Sequence, residues 1–205
     1  MDVLQALFDE LNRPFAPSEM PRRIKLCREA LKMISRKKEP EIWAELQNDL
    51  ACSLLQDPAG PQIQNIEEAL QHLGEALKVR TIQKYPTEWA ILQDNLGTAY
   101  RNRIHNDRAE NIEQAIYYYE QALKVRTPQS DAKRWAETQN NLARAYGVRL
   151  RGQRVDNLEQ AIHHDCFNKI DQSWPFHALV IGDVVIADFR HIHLAVNRLV
   201  DHLIP

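Results

Sequence analysis

The sequence has little glycine and few cysteines. Six glycines in 205 residues argue against a glycine-rich β architecture and against a glycine loop that grips a nucleotide phosphate. The three cysteines are odd in number, widely spaced and without a CxxC pair, which favours reduced thiols in a cytosolic protein. The net charge of −2 gives no general attraction to nucleic acid or to a membrane surface.

Long apolar runs are also missing. The nearest approach, ALVIGDVVIA (178–187), is broken by Asp183 and falls short of the roughly 18 residues that a spanning helix needs. The first residues, MDVLQALFDELNRP, mix acids with apolar residues and lack a basic leader, so we predict no signal peptide. These features predict a cytoplasmic protein that does not bind membranes.

The chain does contain one phrase that occurs three times at a fixed interval. Trp43, Trp89 and Trp135 are 46 residues apart and stand in IWAELQNDLACSL, EWAILQDNLGTAY and RWAETQNNLARAYG. A second phrase, NIEEALQHLGEALKVRT, starts at Asn65 and returns from Asn111 as NIEQAIYYYEQALKVRT. A fixed period of this kind is typical of repeat proteins, in which each unit is one supersecondary motif.

Each unit has the pattern of two amphipathic helices. In both phrases apolar residues recur at helical spacing, from Trp89 to Tyr100 in the first and from Ile112 to Leu123 in the second. A single pair of helices cannot bury both apolar faces. Copies are therefore expected to stack side by side.

The start of the second helix has a repeated signal. Asparagine is followed three residues later by Glu or Gln in three places, which is the spacing of a capping box. We therefore predict N-caps at these asparagines: Asn65, Asn111 and Asn157.

The residues LGTAY (96–100), followed by Ala115, Tyr119 and Ala122, resemble the tetratricopeptide repeat (TPR). There, small residues let paired helices approach and aromatic rings fill the gap. The period of 46 residues exceeds the usual roughly 34 and resembles the long repeats of kinesin light chains and those that precede bacterial CHAT domains. The resemblance implies an all-α fold, a right-handed α-solenoid of TPR-like helical hairpins over residues 1–162 with a divergent C-terminal cap at 163–205.

The resemblance also implies a peptide-binding groove. In kinesin-like repeats, asparagines of the QND, QDN and QNN phrase bind the backbone of a peptide. That role passes by resemblance to Asn95 and Asn141, with Asn48 and Asn140 beside them. One turn further on, the same wall is expected to carry Thr98, Arg101, Asn102 and Arg144. The alternative is structural, with the amides bonding a neighbouring helix or turn, since Asn and Asp otherwise cost ~0.5 kcal/mol in mid-helix.

A basic run, PRRIKLCREALKMISRKK (21–38), precedes the first repeated phrase. Its apolar residues are spaced to point inward, so most of its cations are predicted to form a solvated face. No stacking aromatic residues or base-reading motif accompany it, and we predict no nucleic-acid partner.

After Ile162 the repeat stops, and six of the eight histidines follow it. One interpretation is a capping helix with an apolar stripe from Val185 to Leu203, capped by Asp183; residues 178–187 could instead form a short strand. A zinc site is a weaker alternative, because its candidate ligands lack a recognised spacing: His163, His164, Asp165, Cys166, His191 and His193. A Cys–His protease is disfavoured because a caspase-like sheet has no room here.

Taken together, these patterns predict a non-enzymatic protein–protein interaction module, an adaptor or scaffold without cofactor or metal. Its partner would be a peptide segment of another protein. The alternative is an assembly protein that forms a homodimer through its C-terminal helix, for which Leu199 lies on the apolar stripe.

Overall fold

The computed structural model describes residues 3–149, 156–158, 160–161, 163–164, 179–181 and 184–186. Two compact units divide the chain, Met1–Thr127 and Pro128–Pro205, and the sequence-based boundary at residue 162 stays a prediction. A short 3-10 helix at Pro17–Glu19 precedes α2. The remaining elements are α1 (Val3–Leu11), α2 (Met20–Met33), α3 (Pro40–Gln56), α4 (Gln62–Leu77), α5 (Pro86–Asn102), α6 (Arg108–Leu123), α7 (Pro128–Gly147), β1 (Leu179–Ile181) and β2 (Val184–Ile186).

The 46-residue period of the sequence is also the period of the helices in the first unit. Helix α5 begins and ends 46 residues after α3, and α6 begins and ends 46 residues after α4. Pro40 and Pro86 stand in the first turns of α3 and α5, where proline's missing N–H breaks no helical hydrogen bond. Each repeat is thus one helical hairpin, α3–α4 and then α5–α6, as the pattern predicts.

Each helix of the first unit packs against the next one in the chain, and α3 also contacts α5. Leu50, Leu73 and Leu96 are buried in one core cluster that extends from α1 to α5. On α6 the buried apolar and aromatic residues are Ile112, Ala115, Ile116, Tyr119 and Ala122, all of them on the predicted apolar face. Helix-on-helix packing is therefore confirmed. The tryptophans of the repeated phrase, Trp43, Trp89 and Trp135, are half-buried, and Trp43 packs against the core cluster.

The predicted capping boxes are wrong. Helix α6 is capped by Asp107, whose Oδ1 accepts a hydrogen bond from the N–H of Ala109 at 2.9 Å, and α4 begins after Pro61. Asn65 and Asn111 therefore lie one turn inside their helices, and both are buried. Asn111 Nδ2 donates to the carbonyls of Arg103 (3.3 Å) and His105 (2.7 Å). Its amide holds the preceding loop instead of capping the helix.

In the second unit, α7 contains a break at Asp131, which has extended φ/ψ values. Asp131 Oδ1 accepts from the N–H of Arg134 at 3.1 Å, so the regular helix starts at Ala132, 46 residues after Pro86. Residues 156–158, 160–161 and 163–164 are helical as well. Asn157 repeats the role of Asn111, since its Nδ2 donates to the carbonyl of Arg149 at 3.3 Å.

The C-terminal part includes a small antiparallel pair of strands. Leu179 pairs with Ile186 and Ile181 with Val184. Residues 178–187 therefore contain strands, as the alternative to a capping helix predicts, and Val185 belongs to β2. The rest of the predicted capping helix, with Leu199, lies outside the described residues. Among the residues that the structure describes, no helix is long and apolar enough to cross a membrane.

Candidate functional site

Two of the predicted groove asparagines meet between α3 and α5. Asn95 Nδ2 donates a hydrogen bond of 2.8 Å to Asn48 Oδ1 and lies 3.2 Å from Cys52 Sγ. The two asparagines are 47 residues apart, so they are not equivalent positions of the repeat. The contact joins the third residue of QDN on α5 to the second residue of QND on α3. This contact is of the kind that the structural alternative predicts.

Beside Asn48, a cavity of about 210 Å³ lies between α3 and α5. Polar, charged and apolar side chains share its lining: Ala44, Glu45, Asn48, Asp49, Arg80, Glu88, Ile91 and Leu92. Its position follows from the repeat, because Glu45 and Ile91 stand at the same position of successive phrases. Of the eight predicted peptide-binding residues, Asn48 is the one that lines this cavity.

The charged residues of the lining differ in their partners. Asp49 forms an ion pair of 3.3 Å with Arg23 of α2. Burial raises the pKa of Asp49, Arg23 opposes that rise, and the charge of Glu45 adds to it. Arg80 donates to the carbonyl of Glu41 at 3.1 Å. Glu45 and Glu88 are exposed at the rim, so the cavity combines a neutral amide, an internally paired acid and two acids facing solvent.

The surroundings of the neighbouring Cys52 thiol oppose its ionisation. Burial, followed by the charge of Asp49, raises its pKa to about 12. A thiol with such a pKa stays protonated at neutral pH, and only the thiolate attacks electrophiles or binds metals readily. Cys52 therefore contributes packing and a weak hydrogen bond to the amides of this site.

The other predicted groove residues of α5 have different surroundings. Thr98 Oγ1 lies 3.1 Å from Tyr119 Oη of α6, so this hydroxyl bonds within its own hairpin. Arg101 is half-buried, and its Nε has no hydrogen-bond partner among the described residues. Asn102 is exposed at the last residue of α5.

The remaining three candidates belong to α7 in the second unit. Asn140 and Asn141 are half-buried there, and Arg144 is exposed. These exposures are compatible with a surface role for each residue. The prediction that they join Asn95 in one groove stays a prediction.

Arg80 was not singled out from the sequence, although a signal for it exists. It belongs to the phrase ALKVRT, which returns 46 residues later with Arg126. The Arg126 guanidinium is buried and lies 3.3 Å from Asp94 Oδ1. Both arginines connect the end of the second helix of a hairpin to a first helix (α3 or α5), so the repeated Arg indicates an inter-helix contact.

Some cations of the basic run form ion pairs with acids of α4. Arg28 Nη2 donates to both carboxylate oxygens of Glu68 of α4 at 2.6 and 2.8 Å, and Arg36 lies 3.7 Å from Glu75 of α4. Several of its cations are exposed, as predicted. Their charge is partly neutralised by acids of the neighbouring helix.

His164, a candidate zinc ligand, instead has a structural contact. Its Nδ1 lies 2.5 Å from Gln139 Oε1, and its ring stacks on Tyr146 with centroids 5.6 Å apart. His72 and Gln47 form the same contact 92 residues earlier. Burial, helped by His163, lowers the pKa of His164 to about 4, so the ring is neutral at pH 7. Among the described residues no cluster could hold a metal; Asp165, Cys166, His191 and His193 lie outside them.

Comparison with known proteins adds no relative, since no family model, curated protein or solved structure matches the chain. The features that bear on function are the helical hairpins and the cavity between α3 and α5.

Proposed function

We propose that this chain is a non-enzymatic protein-interaction module of the TPR type, which holds a peptide segment of a partner on the surface shared by α3 and α5. In this proposal the hairpins form a right-handed solenoid, and the first helices of the repeats face the ligand. The observation that carries the proposal is the cavity between two first helices, with the mid-helix amide of Asn48 in its lining.

The amide of Asn48 is oriented before any ligand arrives. Its Oδ1 accepts from Asn95, which leaves the Nδ2 group as the end that can donate to a peptide carbonyl. An extended peptide presents such carbonyls along its length, and main-chain hydrogen bonds of this kind supply affinity in several peptide-recognition modes. Asn95 acts in this proposal as the positioning residue for Asn48.

The packed hairpin architecture also favours binding. Cavity residues Ala44 and Leu92 are almost fully buried on helices that belong to the core cluster. A surface fixed in this way loses little conformational entropy when a ligand binds, so more of the contact free energy appears as affinity.

The proposal can be tested with a phage-displayed library of random dodecapeptides selected against the purified chain. Enriched peptides are expected to bind Asn48→Ala at least tenfold more weakly than the unchanged chain in fluorescence anisotropy, a loss of about 1.4 kcal/mol. The matched control is Gln64→Ala, which removes an exposed amide from α4 outside the cavity. Circular dichroism should show the same helix content for all three proteins.

Two results would contradict the proposal. The library could yield no peptide above background, or the enriched peptides could bind Asn48→Ala and Gln64→Ala with equal affinity. In the second case the Asn48–Asn95 pair would be a structural contact between helices.

A further inference from the structure

We propose that the cavity between α3 and α5 receives a lysine or arginine side chain of the partner peptide. This inference rests on the proposed function, because it names the residue type that the peptide site selects. Three features of the cavity support it: the excess of carboxylates over guanidinium groups in the lining, the buried apolar residues of the lining, and the different residues found 46 positions further on.

The lining holds three carboxylates and one guanidinium. The carboxylates belong to Glu45, Asp49 and Glu88, and the guanidinium belongs to Arg80. Arg80 already has partners, because it donates to the carbonyl of Glu41 and its guanidinium carbon lies 4.4 Å from the centroid of the Tyr85 ring. Its charge is thus partly satisfied before a ligand enters.

The three carboxylates differ in whether a cation of the protein pairs with them. Asp49 has Arg23 at 3.3 Å. Within the described residues, neither Glu45 nor Glu88 forms an ion pair, and both are exposed. A cation placed between these two helices would interact favourably with both carboxylates, and more strongly than in bulk water because the cavity walls exclude part of the solvent.

The base of the cavity suits the stem of a long cationic side chain. Ala44 and Leu92 are buried there and Ile91 is half-buried. Lysine and arginine commonly lay their methylene groups along apolar surface and keep the charged end in polar surroundings. The volume of about 210 Å³ is several times the ~30 Å³ of one water molecule, so a side chain can enter.

The acidic lining is not a consequence of the repeat itself. At the positions 46 residues further on, Glu45 is replaced by Ile91, Asp49 by Asn95 and Glu88 by Arg134. Helix α5 forms with Ile91 and Asn95 at the positions that correspond to Glu45 and Asp49 of α3, so the repeated helix does not require acids there. The three acids around the cavity are therefore specific to this site and are not a feature of every repeat. Their negative charge predicts a ligand of positive charge.

The experiment uses four pools of fluorescent nonapeptides, random except for a central Lys, Arg, Ala or Glu. We expect the Lys and Arg pools to bind at least tenfold more tightly than the Glu pool at 100 mM NaCl. This preference should weaken at 500 mM NaCl, because salt screens exposed charges. The Glu45→Gln/Glu88→Gln double variant should reduce the preference to less than threefold. Glu120→Gln, an exposed change on α6, should leave it intact.

The outcomes separate this inference from the proposed function. If the Ala or Glu pool binds as tightly as the Lys pool and binding still depends on Asn48, the inference is wrong and the peptide site stands. If the cation preference survives in the double variant, the selected side chain binds elsewhere and the inference is also wrong. If no pool binds, both are overturned.

Discussion

The two complete hairpins, α3–α4 and α5–α6, have the same helix lengths and the same spacing, yet they fill their interiors differently. Helices α3 and α5 each have 17 residues, and α4 and α6 each have 16. Where the first hairpin has Ala51 and Leu73, the second has Gly97 and Tyr119, and all four are buried. A smaller residue on one helix accompanies a larger one on the other, so the larger ring of Tyr119 is accommodated by the missing side chain of Gly97.

The loops inside the hairpins differ in a second way. Asn111 uses its Nδ2 to hold two carbonyls of the loop 103–107. The equivalent Asn65 points toward Gly60 of the loop 57–61, but its buried Nδ2 has no hydrogen-bond partner among the described residues. The same asparagine therefore stabilises one loop more than the other.

The largest expected effect comes from Gly97→Ala. A Cβ at Gly97 would lie 2.6 Å from the ring of Tyr119, which is fully buried, so the hairpin must open or the ring must move. Overpacking of this kind costs about 1–3 kcal/mol, and we expect the upper end because the nearest ring atoms lie at 2.6, 2.7 and 2.9 Å. After the ~1 kcal/mol gained from the helix propensity of alanine, the net loss in urea denaturation should be ~2 kcal/mol. Gly74→Ala is the control, since nothing lies within 4 Å of its added Cβ, and it should stabilise by ~0.5–1 kcal/mol.

The same position allows a rescue that tests the comparison directly. Gly97→Ala/Tyr119→Leu copies the Ala51 and Leu73 of the first hairpin into the second. The double variant should recover most of the stability that Gly97→Ala loses. A double variant that loses as much free energy of unfolding as the single variants Gly97→Ala and Tyr119→Leu lose together would show that the packing of one hairpin cannot replace that of the other.

A smaller effect is expected at the asparagines of the loops. Asn111→Ala removes two hydrogen bonds to carbonyls and should reduce the free energy of unfolding by ~1.5 kcal/mol, since a typical bond contributes about 1 kcal/mol and the one to Arg103 is long at 3.3 Å. Asn65→Ala removes a buried amide nitrogen that has no such bond and should cost less than ~1 kcal/mol. Equal losses in urea denaturation of the two variants would mean that the loops are held alike.

The smallest expected effect concerns the contact that joins the hairpins. Arg103 binds Glu67 through two hydrogen bonds of 2.7 and 2.6 Å, and these hold the pKa of Glu67 below its ordinary value of 4.5. The contact is partly exposed, so Glu67→Gln should cost only ~1 kcal/mol at pH 7.

The pH dependence of that loss has a definite sign. A lowered pKa in the folded state stabilises the protein above the unfolded pKa, and this contribution is lost as the pH falls through the folded pKa. The stability difference between Glu67→Gln and the unchanged chain should therefore shrink below about pH 4. A difference that stays constant from pH 7 to pH 3, measured against Glu120→Gln, would show that the carboxylate charge is not involved.

Sequence reasoning located the helices well because helix formation is read from local spacing. The apolar stripe of α6 and the restart of the helix 46 residues after Pro86 follow from positions a few residues apart in the chain. It placed the helix starts less well. Asn111 has the side chain and spacing of a cap, but Asp107 lies four residues earlier and its carboxylate meets the first free N–H groups.

The candidate site was predictable only in part. The mid-helix asparagines of the repeated phrase drew attention to Asn48, which lines the cavity, and to Asn95, which bonds it. The pattern did not indicate that Thr98 bonds Tyr119 or that Arg80 and Glu88 line the cavity. Thr98 and Tyr119 belong to different helices, and Arg80 lies between α4 and α5, so local helical spacing does not relate these neighbours.

The sequence by itself determined the period, the helical hairpins and the faces that they bury, because 3.6 residues per turn make each apolar stripe a local property. Only the tertiary structure decided that Asn95 lies against Asn48 and that three acids surround one cavity. Those contacts depend on how far α5 is shifted along α3. That shift is set by the packing of side chains from several helices at once, which no short stretch of sequence specifies.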